Sequence, residues 1–484
     1  MQIERVFSRI NHDSNISPSA SKEVAGPISG ERFRRRLLTR EFAPSEAITD
    51  LPDSERKALD YLVSAVRRWA EVYSIQEGSD ERAHFYPIRA TKNQIIRASE
   101  HDPKILSPYT VVLKTIDGNF DTVPMHQAYS KIIESTNVVR LLKDATNATK
   151  DKKLKDYLRA KVHALQSGDW EEADKVWLAR DDEPLIDIVI GFYDTYTDKF
   201  LGRKYAAEAW TGVLNREATE ESQLFVDAFL ENWALKTGNT KPKVKVRVDK
   251  TRIMSGQAGY DDGDLTWSAN SLPCQIELRK EIGSKFTIFE PSFDDLYNAR
   301  SEAFDKYIHS GRRSGIPKPL IRTGILRMVT GHEIGHSLIP NGIEKRIGAH
   351  KNWFNELNCD LVSLDGYFDI PQVFTHNREH EVAFATHFSN GFLQNETYKR
   401  TGKMGNYLPS HAIILKACMD NGVVQALDGC LTWKDVPEVR KTIHTLTNKV
   451  TSLGKDGTEA DVQQFRNEMF DENIYEKILQ TKNN

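Results

Sequence analysis

A chain of 484 residues, 39% hydrophobic and 28% charged, has apolar material for two to four compact units or one large two-lobed enzyme. Its 66 basic and 69 acidic residues nearly cancel to a net charge of −3, which excludes a global pull toward nucleic acid. No apolar run reaches the length of a membrane span, and the N-terminus lacks the apolar stretch of a secretory signal, so the expectation is a cytoplasmic chain with no membrane partner.

Residues 1–45, rich in Ser, Pro, Gly and Arg, read as a flexible extension, and the short basic run "ERFRRRLL" reads as a solvated end of it. From Leu51 the pattern turns helical, with Leu59, Leu62, Val63, Val66 and Trp69 on one face. "SPYTVVLKTIDGNFDTVP" alternates around Asp117-Gly118 and predicts a hairpin. Polar amphipathic helices follow from about Pro124 to Arg180, then a short buried strand at Leu185–Gly191. "KYAAEAWTGVL" is expected to begin another helix. Strict alternation in "PKVKVRVDK" predicts a strand, as does "KFTIFEP" at 285–291, and beyond Pro291 the chain is mostly helical. Four cysteines, Cys274, Cys359, Cys418 and Cys430, contain no Cys-x-x-Cys pair and fit a reducing compartment.

The chemistry concentrates in "MVTGHEIGHSLIPNG". A helix over Ile321–Leu338 puts His332 and His336 one turn apart on one face, as two ligands of a single ion require. Glu333 lies about 100° round the helix axis, where it reaches a water on the metal without replacing a ligand. This is the His-Glu-x-x-His arrangement: two imidazoles hold zinc and a carboxylate takes a proton from water. A catalytic zinc needs a third protein ligand. The next helix, "NWFNELNCDLVSLDGYF", offers Glu356, and Asp360 one turn on can accept the second ring N–H of a ligand histidine. A further group, His376, His380 and His387, has no nearby carboxylate to complete a set, and reads as substrate contacts or surface histidines.

The pair of motifs resembles the gluzincin metallopeptidases. A second segment, "EPLIDIVIGFYDTYTDKFLGRKYAAEAW", followed by "EIGSKFTIF" and then the metal helices, resembles the dipeptidyl peptidase III family over roughly residues 55–425, closest to shorter bacterial relatives with the five-residue metal motif. The resemblance implies two lobes around a cleft, one zinc per chain, and a peptide substrate whose ammonium is gripped by Asp194. It implies that Tyr196 donates toward the scissile carbonyl. Where the family has asparagines that hold the peptide's N-terminal end, this chain has Ser271 and Cys274, with Asn270 adjacent, which points to altered specificity. On "GNYLPSHAIILKACMDNG" the family's last catalytic group falls at Tyr407, with His411 one turn on, and either serves an oxyanion.

The expectation is therefore an α+β fold: an extension at 1–45, a mixed region at 46–300 forming the substrate side of the cleft, and a helical zinc-binding region at 301–484. The expected function is zinc-dependent hydrolysis of amide bonds in short peptides with a free N-terminus. The alternatives are the same chemistry on a non-peptide amide or ester, or a non-catalytic zinc-binding regulator. The intact Glu333 speaks against the last, since a scaffold has no use for a base beside the metal.

Overall fold

A computed structural model describes residues 39–77, 82–180, 183–259, 267–340, 342–370, 373–374 and 376–483. The expected extension and its basic run fall largely outside these residues. The last part of that stretch, Thr39–Phe42, is a strand paired antiparallel with Arg252–Ser255.

Two hydrophobic cores organise the chain. The first forms around the helix Asp53–Gln76, whose Leu59, Leu62, Val66 and Trp69 are buried as their spacing predicts. It packs on an antiparallel four-stranded sheet in the order Thr39–Phe42, Arg252–Gly256, Ala206–Val213, Ile186–Tyr193. Trp69 Nε1 donates to the Gly191 carbonyl at 2.9 Å and pins helix to sheet. The hairpin pairs Thr110–Lys114 with Phe120–Pro124 around Gly118, whose φ of +88° favours glycine. Short helices from Met125 to Leu178 complete this core.

One expectation is overturned here. The segment "KYAAEAWTGVL" is a strand, Ala206–Val213, rather than the start of a helix. Its alanines and glutamate favour helix locally, but it pairs along its whole length with Ile186–Tyr193 and on its other edge with Arg252–Gly256. All eight of its residues are buried, so long-range pairing and burial outweigh a propensity of a few tenths of a kcal/mol per residue. The helix begins instead at Arg216, where the Asn215 side chain accepts from Ala218 N and caps it.

The second core takes in the helix Arg216–Thr237 and a three-stranded sheet, in which Val244–Asp249 runs parallel to Ser284–Phe289 and Ala269–Leu272 runs antiparallel to it. The remainder is helical, apart from a hairpin of Val424–Leu427 with Cys430–Trp433. Among the described residues no helix is long and apolar enough to cross a membrane.

Candidate metal centre and cleft

The helix carrying "HEIGH" runs Lys318–Ser337 with Pro319 in its first turn, where the missing N–H costs nothing. It is buried almost throughout its second half, so its position is fixed by the helices it touches. Glycines set those contacts. A Cβ at Gly335 would stand 2.7 Å from Cys359 Cα, and one at Gly331 would stand 2.4 Å from Ser363 Oγ. Both neighbours lie on the helix Lys351–Tyr367. Gly324 similarly meets Val382 of the helix Glu379–Thr401. The bare faces of Gly331 and Gly335 thus let two backbones approach closely, and this brings Cys359 beside the two histidines and Glu356 to His332.

His332 Nδ1 faces Asp360 Oδ1 at 2.8 Å, so the ring donates there and leaves Nε2 for another partner. That Nε2 and Glu356 Oε2 are both buried without a hydrogen-bond partner, although they stand 3.0 Å apart. Two such atoms, costly to leave unsatisfied, fit the coordination of a cation. Burial opposes a charge on His332. The hydrogen bond to Asp360 and its charge, with Glu356 behind them, outweigh burial and hold the pKa well above the ordinary imidazole value.

His336 packs edge to face on His332, ring centroids 5.0 Å apart. Its Nδ1 lies 3.4 Å from Cys359 Sγ. Cys359 is a candidate ligand that sequence reasoning missed, since its sulfur and a nitrogen of each histidine lie within 4.8 Å of one another. The geometry gives it a different part. Cys359 sits on the Nδ1 side of His336 as Asp360 sits on the Nδ1 side of His332, while Glu356 Oε2 stands at His332 Nε2. The signal was present: Glu356, Cys359 and Asp360 share one face at spacings of three and four.

Glu333 is 8% exposed and its carboxyl is pushed up to about 7. Burial is the main cause, with Glu356 and Asp194 raising it further against His332 and Arg279. A base with a pKa near neutrality suits proton transfer in both directions.

Across the cleft stand the residues singled out on the substrate side. Asp194 sits in the left-handed region at φ +50°, just after the Ile186–Tyr193 strand. Its Oδ1 accepts from Cys274 Sγ at 3.3 Å and its Oδ2 from Asn270 Nδ2 at 3.4 Å, and burial raises its pKa. Asn270 Oδ1 is buried without a partner, an acceptor beside a carboxylate. The Ser271 hydroxyl is engaged by Arg279 Nη1 at 3.2 Å. Tyr196 OH donates to Glu356 Oε1 at 3.2 Å and so ties the strand side to the metal corner. One hollow is lined by Asp194, Tyr196, Cys274, Arg279, His336 and Glu356 together. A larger hollow of about 330 Å³, lined by Phe42, Lys250 and Arg322 among others, contains none of these groups.

The two candidates on the helix Tyr407–Asp420 separate clearly. Tyr407 is 41% exposed, its ring 5.9 Å from that of His332. His411 is 2% exposed and bonded to His387 and Asn390 behind the metal helices, so it does not face the cleft. Of the further histidine group, His376 bonds to its own turn and His380 packs on Phe368 and Phe374, so these three do not converge.

The helix that carries His-Glu-x-x-His thus packs on the helix that carries Glu356 and Asp360. Residues 69–231 match the model of Peptidase family M49, a span that includes Asp194 and Tyr196 and stops before the metal helices. The fold is that of two dipeptidyl peptidase III structures. The one from Corallococcus sp. strain EGB has a TM-score of 0.76 at 19% identity, over 90% of this chain and 96% of that one. The one from Caldithrix abyssi has a TM-score of 0.73 at 18% identity, over 91% and 94%. Among curated proteins the chain is similar to Nudix hydrolase 3 of Arabidopsis thaliana, 27% identical over 376 residues, or 75% of this chain. The chain spans about half, 46%, of that relative's length.

Proposed function

We propose that this chain is a zinc-dependent peptidase that hydrolyses amide bonds of short peptides with a free N-terminus, as in the dipeptidyl peptidase III family. The observation that carries the reading is the pair of buried ligand atoms on His332 and Glu356, 3.0 Å apart, with Glu356, His336 and Asp194 lining one hollow. His332, His336 and Glu356 would hold the ion. Zinc, when bound there, supplies Lewis acidity that polarises a carbonyl and lowers the pKa of water to about 7. Glu333 takes the proton of the attacking water and returns it to the leaving amine. Asp360 and Cys359 keep the two imidazoles turned to the ion. Tyr196 and Tyr407, the phenols flanking the corner, donate to the oxygen that gains charge. Asp194 and Asn270 Oδ1 receive the substrate's ammonium. Unpaired cysteines at all four positions support a reducing, cytoplasmic setting.

The Cys274 thiol at the Asp194 carboxylate supports an altered specificity, and it is also what favours a non-peptide amide with a free amine as the second reading. A panel of dipeptidyl-naphthylamides, free and N-acetylated, tests both. Turnover of the free amines with zinc present supports the peptidase. Turnover confined to non-peptide amides overturns it.

Two variants test individual parts. Asp194→Asn removes a charge-assisted contact of about 1.5–3 kcal/mol, so kcat/KM for free-amine substrates is expected to fall about 10–100-fold. N-acetylated substrates should be turned over equally poorly by wild type and variant. An unchanged kcat/KM would remove Asp194 from the amine site. His336→Ala is expected to lose the catalytic ion itself, read by elemental analysis after desalting. Retention of that ion would exclude the ligand set.

A further inference from the structure

Behind the metal helices, away from the cleft, three more metal-binding side chains meet. Asp360 comes from the helix Lys351–Tyr367, His387 from Glu379–Thr401 and His411 from Tyr407–Asp420. One ligand atom from each lies within 4.8 Å of the other two, and the residues are 6%, 3% and 2% exposed. The imidazoles meet nitrogen to nitrogen, His411 Nδ1 to His387 Nε2 at 3.1 Å. Ligand atoms about 2.0–2.1 Å from a tetrahedral zinc lie roughly 3.3 Å from one another, so this spacing is already close to that of two ligands on one ion.

The donor set decides which ion fits: two imidazole nitrogens and one carboxylate. Arg300, whose buried Nε has no partner, places a positive charge near both rings. A weakly held hard cation would not overcome that charge with one carboxylate, whereas a metal that binds imidazole strongly can.

We propose that Asp360, His387 and His411 form a second divalent-metal site, of the imidazole-preferring type that takes zinc, copper or nickel. The site is structural. Asp360 is the link between the two centres, because its Oδ1 accepts from His332 Nδ1 while its Oδ2 accepts from Ser410 at 2.6 Å. An ion that fixes this carboxylate also fixes the His332 ring. The competing arrangement is a plain hydrogen-bonded chain, in which Asn390 Nδ2 holds His411 Nε2 at 2.9 Å and His411 donates to His387.

Metal counting separates the two and is independent of peptide turnover. Full-length protein is loaded with excess zinc, desalted and analysed for zinc per chain. Two ions are expected in wild type, one in His387→Ala, one in His336→Ala and none when both are changed. No ion in His336→Ala overturns the second site, as does an unchanged count in His387→Ala. If His387→Ala does not fold, His411→Gln replaces it with the same expectations, and the His336→Ala count decides in either case. An inactive chain that still holds two ions would reject the peptidase reading and keep this one.

Discussion

Exchanging Glu333 for glutamine is expected to leave the chain folded and its ions in place while peptide turnover falls by about 10²–10⁴-fold. Glutamine matches the buried volume of the 8%-exposed side chain, so packing against the helix Lys351–Tyr367 is retained. What it cannot do is accept a proton. A carboxyl pushed up to about 7 takes one from water and gives it to an amine at little cost in either direction. Steady-state turnover and zinc content of the same preparation are the measurements. Undiminished activity would show that another group carries the proton.

Gly335→Val is expected to cost about 3 kcal/mol or more and to weaken zinc binding at the same time. Its Cβ alone would lie 2.7 Å from Cys359 Cα, 3.0 Å from Cys359 Cβ and 3.2 Å from the Cys359 carbonyl oxygen. Those are backbone atoms and the root of a side chain, so the helices must separate, and overpacking of this kind costs about 1–3 kcal/mol before the β-branch is added. The helix-propensity gain over glycine, roughly 0.5 kcal/mol, does not offset it. Gly454→Ala is the control, since its added Cβ would meet neighbours only at 3.5 Å or beyond. That substitution should be neutral or slightly stabilising. Denaturant unfolding and zinc titration of both variants decide; equal stability and affinity in Gly335→Val would mean that the helix spacing is set elsewhere.

The placement of the candidate ligands on two facing helices was legible because its signals are local. The fourfold spacing of His332 and His336, and of Glu356 and Asp360, is a property of one helix turn and survives whatever the helices pack against. The strands at 186–193, 244–249 and 284–289 were likewise readable from alternation and β-branched runs. What was not legible depends on partners far along the chain. Ala206–Val213 carries a helical composition and becomes a strand only because two other strands border it. His411 and Tyr407 lie one turn apart, and nothing local says that one is enclosed and the other open. The use of Gly331 and Gly335 as the seam between two helices is visible only once Ser363 and Cys359 stand opposite.

Asp194 follows a strand of the first core, Asn270 and Glu356 lie on elements of the second, and Tyr196 touches Glu356. A small molecule with an ammonium at one end and a zinc-binding group at the other would act as a strap spanning both cores. Its presence should then register as a rise in melting temperature for the entire chain, growing with the logarithm of its concentration, even in a Glu333→Gln variant that cannot turn anything over.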